Sequence, residues 1–257
     1  MKNLVWFRND LRLHDNPALS QACAKADQVV GIYIVTFKQW EEHNDSPNKI
    51  AFWFRSLIEL QKDLHKLNIP LCILKCDTYD DCPHKILEFA SANEINNLYF
   101  NIEYPVNELK RDEQVQAVLE KMGTSCFSFH DQVIHVPGTL KTKAGTNFSV
   151  YSPFKRCWLA ELDYALLEEH AIPTIKQPVS VNQQDEYDLH SYKQSNINQD
   201  LWPVGEESIQ KMIVNFLDRK GSDYKTDRNF PGLTATSMMS PYICLLYTSP
   251  SPRDDEL

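Results

Sequence analysis

Glycine is scarce in this sequence, with 7 in 257 residues. Neither G-x-G-x-x-G nor G-x-x-x-x-G-K-[ST] occurs, which argues against a standard dinucleotide fingerprint or a nucleoside-triphosphate P-loop. Positive charge is also short. Lys and Arg number 26 against 35 Asp and Glu, a net charge of -9 with a pI near 5.4. That is the wrong sign for a self-sufficient nucleic-acid binder, which carries a basic excess or stripe. No run of about 18 apolar residues exists, so no membrane span is expected. The opening MKNLVWFRND is charged and has no apolar h-region, so it does not read as a signal peptide. The terminal DDEL resembles an endoplasmic-reticulum retention address, which is empty without a secretory signal. The seven cysteines form no CxxC pair or zinc ribbon. They read as reduced, packed thiols of a cytoplasmic protein, and no metal site is expected.

What is present is an alternation. Asn3–Phe7, Val29–Val35, Pro70–Leu74, Leu98–Phe100 and Cys126–Phe129 are short apolar runs that read as buried strands. Ser46-Pro47 reads as an N-cap with proline at the first helical position, and Ile50, Trp53, Phe54, Leu57, Leu64 and Leu67 then share one helical face. Asn16-Pro17 and Ser152-Pro153 repeat that start signal. Strands alternating with helices predict an α/β fold, a doubly wound five-stranded parallel sheet, over residues 1–135. Residues 173–198 are polar with weak periodicity and read as a linker. An amphipathic helix follows at 206–219, with Ile209, Met212, Ile213, Phe216 and Leu217 on one face.

In an open parallel sheet, ligands bind beyond the carboxyl ends of the strands. Three polar clusters fall there, at residues 8–16, 39–44 and 101–108. The adjacent amide and carboxylate of Asn107 and Glu108 could match the donor–acceptor edge of a heterocycle such as a pterin or purine. On spacing alone, caps and solvated loops are the favoured reading.

The stretch LVWFRNDLRLHDNPAL closely resembles the opening of the DNA photolyase/cryptochrome family. The resemblance continues in order through YIVTFKQWEEHNDSP, YPVNELKRD, YSPFKRCWL, WPVGEESI and DYKTDRNFPGLTATSMMSPY, as far as about residue 243. It is strongest toward bacterial class I cyclobutane-pyrimidine-dimer photolyases with a folate antenna. The resemblance implies that His43, Asn107 and Glu108 hold 5,10-methenyltetrahydrofolate. It likewise implies that Tyr224, Thr236, Ser237, Met238, Met239 and Ser240 form the first FAD-binding segment, and that Arg228 contacts UV-damaged DNA. A helix start at Ser240-Pro241 would suit the flavin diphosphate, because it presents unpaired N–H donors. Arg8, Asp10 and Arg12 read as structural ion pairs and caps.

The implied activity is light-driven repair. Folate gathers light, reduced FAD donates an electron to a pyrimidine dimer flipped from the duplex, and the cyclobutane ring splits. No side chain is expected to act as general acid, base or nucleophile. A signalling cryptochrome and a nucleotide-binding α/β sensor module are the alternatives.

Two departures stand out. Ala235 occupies a place where the family usually has glycine, a mild change unless the backbone there needs positive φ. After Tyr242 the family continues into a long helical region, whereas CLLYTSPSPRDDEL follows here. The expected organisation is therefore 1–135 antenna-binding α/β domain, 136–200 interdomain helix and linker, 201–243 truncated start of a helical FAD-binding domain, and 244–257 unrelated tail. This chain is expected to be a monomer, inactive by itself, with its apolar face at 206–219 exposed.

Overall fold

The computed structural model describes residues 1–163, 169–182, 187–191 and 200–244. The five apolar runs become β1 (Lys2–Phe7), β2 (Gln28–Thr36), β3 (Leu71–Cys76), β4 (Asn97–Asn101) and β5 (Ser125–Phe129). All pair in parallel in the order β3-β2-β1-β4-β5. Four helices, α1 (Pro17–Lys25), α3 (Pro47–Lys66), α4 (Cys82–Ala92) and α5 (Val106–Lys121), make the crossovers, with a short α2 (Phe37–Glu42) before α3. Alternate side chains of each strand enter opposite cores, as a period of two requires. Val5, Phe7, Val29, Tyr33 and Val35 pack toward α1 and α3, with Leu19, Phe54 and Leu57. Leu4, Trp6, Val30, Ile32 and Leu98 pack toward α4 and α5, with Ile86 and Val115. The predicted doubly wound sheet is the one found.

Two proline start signals hold. The side chain of Asn16 accepts from Leu19 N at 3.1 Å, and that of Ser46 from Lys49 N at 3.2 Å, each capping its helix. The third does not. Helix α6 (Tyr151–Ala160) takes Val150 as its N-cap, with no side-chain cap, and Ser152 lies inside the first turn. The predicted burial of β5 fails as well, since Phe127 is 43% exposed. As an edge strand β5 pairs only with β4, so its outer side has no sheet neighbour.

The linker region is bound down. Lys176 N donates to Leu67 O at 2.9 Å, Asn182 N to Asn93 Oδ1 at 2.7 Å, and Tyr187 N to Ile73 O at 2.8 Å. Val179 and Val181 pack on one core, Tyr187 and Leu189 on the other. Residues 183–186 and 192–199 of that predicted linker lie outside the described residues, as do 245–257 of the predicted tail.

Helix α7 (Glu206–Lys220) begins at Gly205, whose φ of +90° few other residues adopt. Its apolar face is covered more than expected. Ile209 is 1% exposed in the α3-side core and Met212 and Ile213 pack beside it, while Leu217 remains 49% exposed. Burying an isoleucine stabilises by about 1.5–3 kcal/mol, enough to seat the helix's first half. A short α8 (Tyr224–Asp227) and α9 (Ser240–Cys244) follow.

The run 8–16 forms a buried polar network, as expected for Arg8, Asp10 and Arg12. Arg12 grips Asp131 bidentately, Nη2 to Oδ1 at 2.5 Å and Nη1 to Oδ2 at 3.1 Å, with both side chains almost fully buried. Removing one partner of such a pair leaves an uncompensated buried charge, at a cost of about 3–5 kcal/mol. Asp131→Ala should therefore lower urea-unfolding stability by about that much, whereas Ser46→Ala at its exposed cap should cost about 1 kcal/mol. Equal losses in the two variants would show the buried pair to be idle.

Candidate functional site

Strands β2 and β4 leave β1 on opposite sides, so strand order reverses at β1 and opens a crevice at the carboxyl ends. The cleft found there is lined by residues from four successive strand ends. They include Arg8 and Asn9 after β1, Trp40 and His43 after β2, Tyr79 after β3, and Glu103 and Glu108 after β4, with Lys49, Trp53 and Arg111 from the flanking helices.

Its floor is a compensated charge cluster. Arg111 Nη2 donates to Glu103 Oε2 and to Asp112 Oδ1, each at 2.8 Å. Arg8 stands 3.7 Å from Glu103 and 3.5 Å from Asp112. Both guanidinium groups also lie against the Trp6 ring, Arg8 at 4.4 Å and Arg111 at 4.7 Å from its centre. Burial works against the charge on Arg111, but Glu103 and Asp112 outweigh it and raise its pKa. Two cations and two anions thus sit buried at near balance.

The walls are neutral and aromatic. Burial pushes the Tyr33 phenol far above its ordinary pKa, with Tyr79 and Glu103 reinforcing it. Burial also raises Tyr79, against the pull of Arg111. Both phenols therefore remain O–H groups at neutral pH. Tyr79 donates to Glu108 Oε1 at 3.4 Å and lies under Arg111 at 4.7 Å. His43 caps α2, shares a 2.9 Å hydrogen bond with Gln39 Nε2, and meets Tyr79 edge-on. Trp40 and Trp53 pack 5.3 Å apart. Three buried donors on this lining, Trp53 Nε1 and Arg8 Nε and Nη1, have no hydrogen-bond partner among the described residues. A flat heterocycle bearing acceptor atoms would complement such a surface. The free volume is about 120 Å³, short of the roughly 300–1,000 Å³ of cavities that bury a drug-sized ligand. A ligand held here would protrude.

Of the three residues the sequence assigned to folate, the structure brings two together. His43 and Glu108 both line the cleft, whereas Asn107, one residue earlier in the first turn of α5, is exposed and outside the lining. Adjacent helical residues point about 100° apart, and here Glu108 is the one of the two that turns toward the cleft. Sequence reading missed Tyr79, Trp53 and Arg111. Tyr79 sits in the β3–α4 connection, which carries no motif, and only its place at the carboxyl edge of the sheet could have drawn notice.

The segment assigned to FAD is less gathered. Tyr224 packs edge-on against Phe216 at 5.8 Å, with Arg228 exposed over its ring at 5.5 Å. Thr236 and Ser240 are exposed, while Ser237 Oγ accepts from Met239 N at 3.3 Å. Met239 is buried against the α3-side core and Met238 has φ of +58°. Helix α9 starts at Ser240 itself, so that serine is its first residue rather than a preceding cap. Among the described residues, no group of three or more His, Cys, Asp or Glu could hold a metal ion.

The DNA photolyase family model matches residues 3–177. The deoxyribodipyrimidine photo-lyase of Buchnera aphidicola (subspecies Acyrthosiphon pisum) is 35% identical over 247 residues, covering 94% of this chain and 50% of that protein. The enzyme of that name from Escherichia coli is 32% identical over 239 residues, covering 93% of this chain and 50% of its own length. Among solved structures, a bacterial class III photolyase from Agrobacterium tumefaciens superposes with a TM-score of 0.81 at 25% identity, over 96% of this chain and 51% of that one. A Synechocystis cryptochrome superposes at 0.82 with 20% identity, over 98% of this chain and 54% of that one, a likeness of fold alone. The chain spans about half the length of the relatives it matches. With the family model covering more than half of its residues, the chain belongs to the DNA photolyase family.

Proposed function

We propose that this chain is the amino-terminal part of a deoxyribodipyrimidine photolyase, a lyase that repairs cyclobutane pyrimidine dimers in UV-damaged DNA with light. The observation that carries the proposal is the continuous match to proteins of that name over 94% of the chain. In this reading residues 1–135 form the antenna-binding α/β domain, 136–200 an interdomain helix and linker, and 201–243 the start of a helical flavin-binding domain. The protein works in the cytoplasm as a monomer. Among the described residues no helix is long and apolar enough to cross a membrane.

The cleft is the site we assign to 5,10-methenyltetrahydrofolate, which supplies light absorption when bound. Glu108 and His43 hold the polar edge of its ring system, Tyr79 fixes the Glu108 carboxylate, and the unpartnered donors of Trp53 and Arg8 support the fit. Tyr224 and residues 236–240 are assigned to FAD, whose reduced form supplies the electron, and Arg228 to the DNA.

Titration of the chain with 5,10-methenyltetrahydrofolate, followed by its absorption band, tests the antenna assignment. Hydrogen bonds to charged groups contribute about 1.5–3 kcal/mol, so Glu108→Ala should weaken binding roughly tenfold or more. Asn107→Ala, outside the cleft, should leave it nearly unchanged. Equal effects of the two would overturn this use of the cleft.

Arg228 neutralises about one phosphate, far fewer than useful binding at physiological salt requires. Gel-shift titration of residues 1–257 against intact and dimer-containing duplexes should show no preference. A clear preference for the damaged duplex would contradict that estimate.

The flavin segment offers a few hydrogen bonds at about 0.5–1.5 kcal/mol each, against an association cost of several kcal/mol. Residues 1–257 should therefore purify without stoichiometric flavin absorbance and show no repair under blue light. Retained flavin would mean that the site is more complete than these residues indicate.

A further inference from the structure

The loop that carries Tyr79 is closed at its base by two thiols. Cys76 ends β3 and Cys82 begins α4, with their sulfurs 3.6 Å apart and Cys82 Sγ also donating to Thr78 O at 3.7 Å. Cys82 is buried and Cys76 partly exposed, so one sulfur of the pair can be reached from solvent. Both are free thiols. A disulfide needs about 2.0 Å between sulfurs, so closure takes a further approach of roughly 1.5 Å within one short connection.

What hangs on this connection gives the pair its interest. Asp81 Oδ2 accepts from both Thr78 N and Thr78 Oγ1 at 2.9 Å, which makes residues 77–81 a tight unit. Gln39 N donates to Asp77 O at 3.2 Å, and Tyr79 N donates back to Gln39 Oε1 at 3.2 Å. Gln39 holds the His43 ring and Tyr79 holds Glu108. Glu108 is therefore one hydrogen bond from this unit, and His43 two, through Gln39.

We propose that Cys76 and Cys82 form a redox modification site for small-molecule disulfides such as glutathione disulfide, and that closing it shifts the unit that positions His43 and Glu108. The partly exposed Cys76 thiolate attacks one sulfur of the small disulfide and expels its first thiolate, leaving a mixed disulfide. The Cys82 thiolate then attacks Cys76 Sγ and expels the second. Two protein S–H bonds and one external S–S bond become one protein S–S bond and two external S–H bonds, so the small disulfide is the oxidant. The shared S–H···S bond raises the Cys76 pKa, burial and Asp81 add to this, and Lys85 opposes it. Exchange is accordingly slow at neutral pH and faster in alkali.

The first arm of the test needs no variant, and it does not depend on what the cleft binds. The reduced full chain is incubated with glutathione disulfide, remaining thiols are alkylated, and the digest is mapped by mass spectrometry. A cross-linked peptide joining Cys76 to Cys82, lighter by two hydrogens, should accumulate ahead of any pairing that uses Cys23, Cys72, Cys126 or Cys157. Cys82→Ala should instead trap glutathione on Cys76. If Cys76 and Cys82 both remain alkylatable after Cys126 or Cys157 has reacted, or pair with other cysteines first, the site is overturned. Amide ¹⁵N–¹H shifts of Gln39, Tyr79 and Glu108 should move between the reduced and cross-linked forms while those of β1 stay fixed. Cross-linking with those three unmoved would overturn the coupling to the cleft.

Discussion

The side chain of Asn101, at the end of β4, joins the parts of the molecule that meet at the switch point. Its Nδ2 donates to Asp10 Oδ2 at 2.6 Å and to Asn16 Oδ1 at 2.9 Å, while its Oδ1 accepts from Ala18 N at 3.1 Å. Its backbone carbonyl accepts from Arg8 Nη2. One buried amide thereby ties the last strand turn of β4 to the β1 loop and to the first turn of α1. Without these bonds a parallel sheet that reverses order here would have a crevice with independently moving lips. With them, Arg8 and Glu103 are held on one rigid floor. Leaving a buried amide unsatisfied costs about 1–3 kcal/mol per group, and here both side-chain polar atoms and the carbonyl of Asn101 have partners.

The same economy of charge extends through the cleft. Arg8 and Arg111 face Glu103 and Asp112 around Trp6, and each guanidinium lies against an aromatic face. Buried ions of one sign would shift their pKa values or unfold the site; paired ones stay charged. Net acidity of the chain is thus no guide to its interior. The acidic excess resides on the surface, and the cleft itself is balanced.

Legibility in the sequence followed the range of the interaction. Strands β1 to β4 were readable because both of their faces are buried, giving unbroken apolar runs such as Val29–Val35. Asn16 and Ser46 were readable because a cap acts over three residues. Ser152 looked the same locally, yet its helix is capped two residues earlier, at Val150, a shift within the usual fraying of helix ends. Glu108 and His43 were found through resemblance and then met in one cleft, whereas Tyr79 and Trp53 carry no local signal. Their importance comes from contacts with residues tens of positions away, such as Tyr79 with Glu108 and Arg111. Asn107 stands outside the cleft lining for a simpler reason: adjacency in sequence is not adjacency on a helix.

The segment at 235–242 makes the same point about backbone. Family resemblance directed attention to Ala235, as the residue standing where glycine is usual, but the left-handed conformation lies at Met238, φ +58°. Such a backbone costs a non-glycine residue about 1–2 kcal/mol. It persists because its neighbours are fixed on either side. Ala235 and Met239 are buried, and Tyr242, with no exposed surface, meets Phe52 edge-on at 5.4 Å and donates to Pro203 O at 2.9 Å. Burial of one large side chain, at about 1.5–3 kcal/mol, offsets the strain. The consequence is a turn whose shape is set by the α3-side core, with Met239 directed inward and Thr236 and Ser240 left facing outward. The hydroxyls assigned to the flavin are therefore held in place by packing against the sheet unit, and their position does not wait on the ligand.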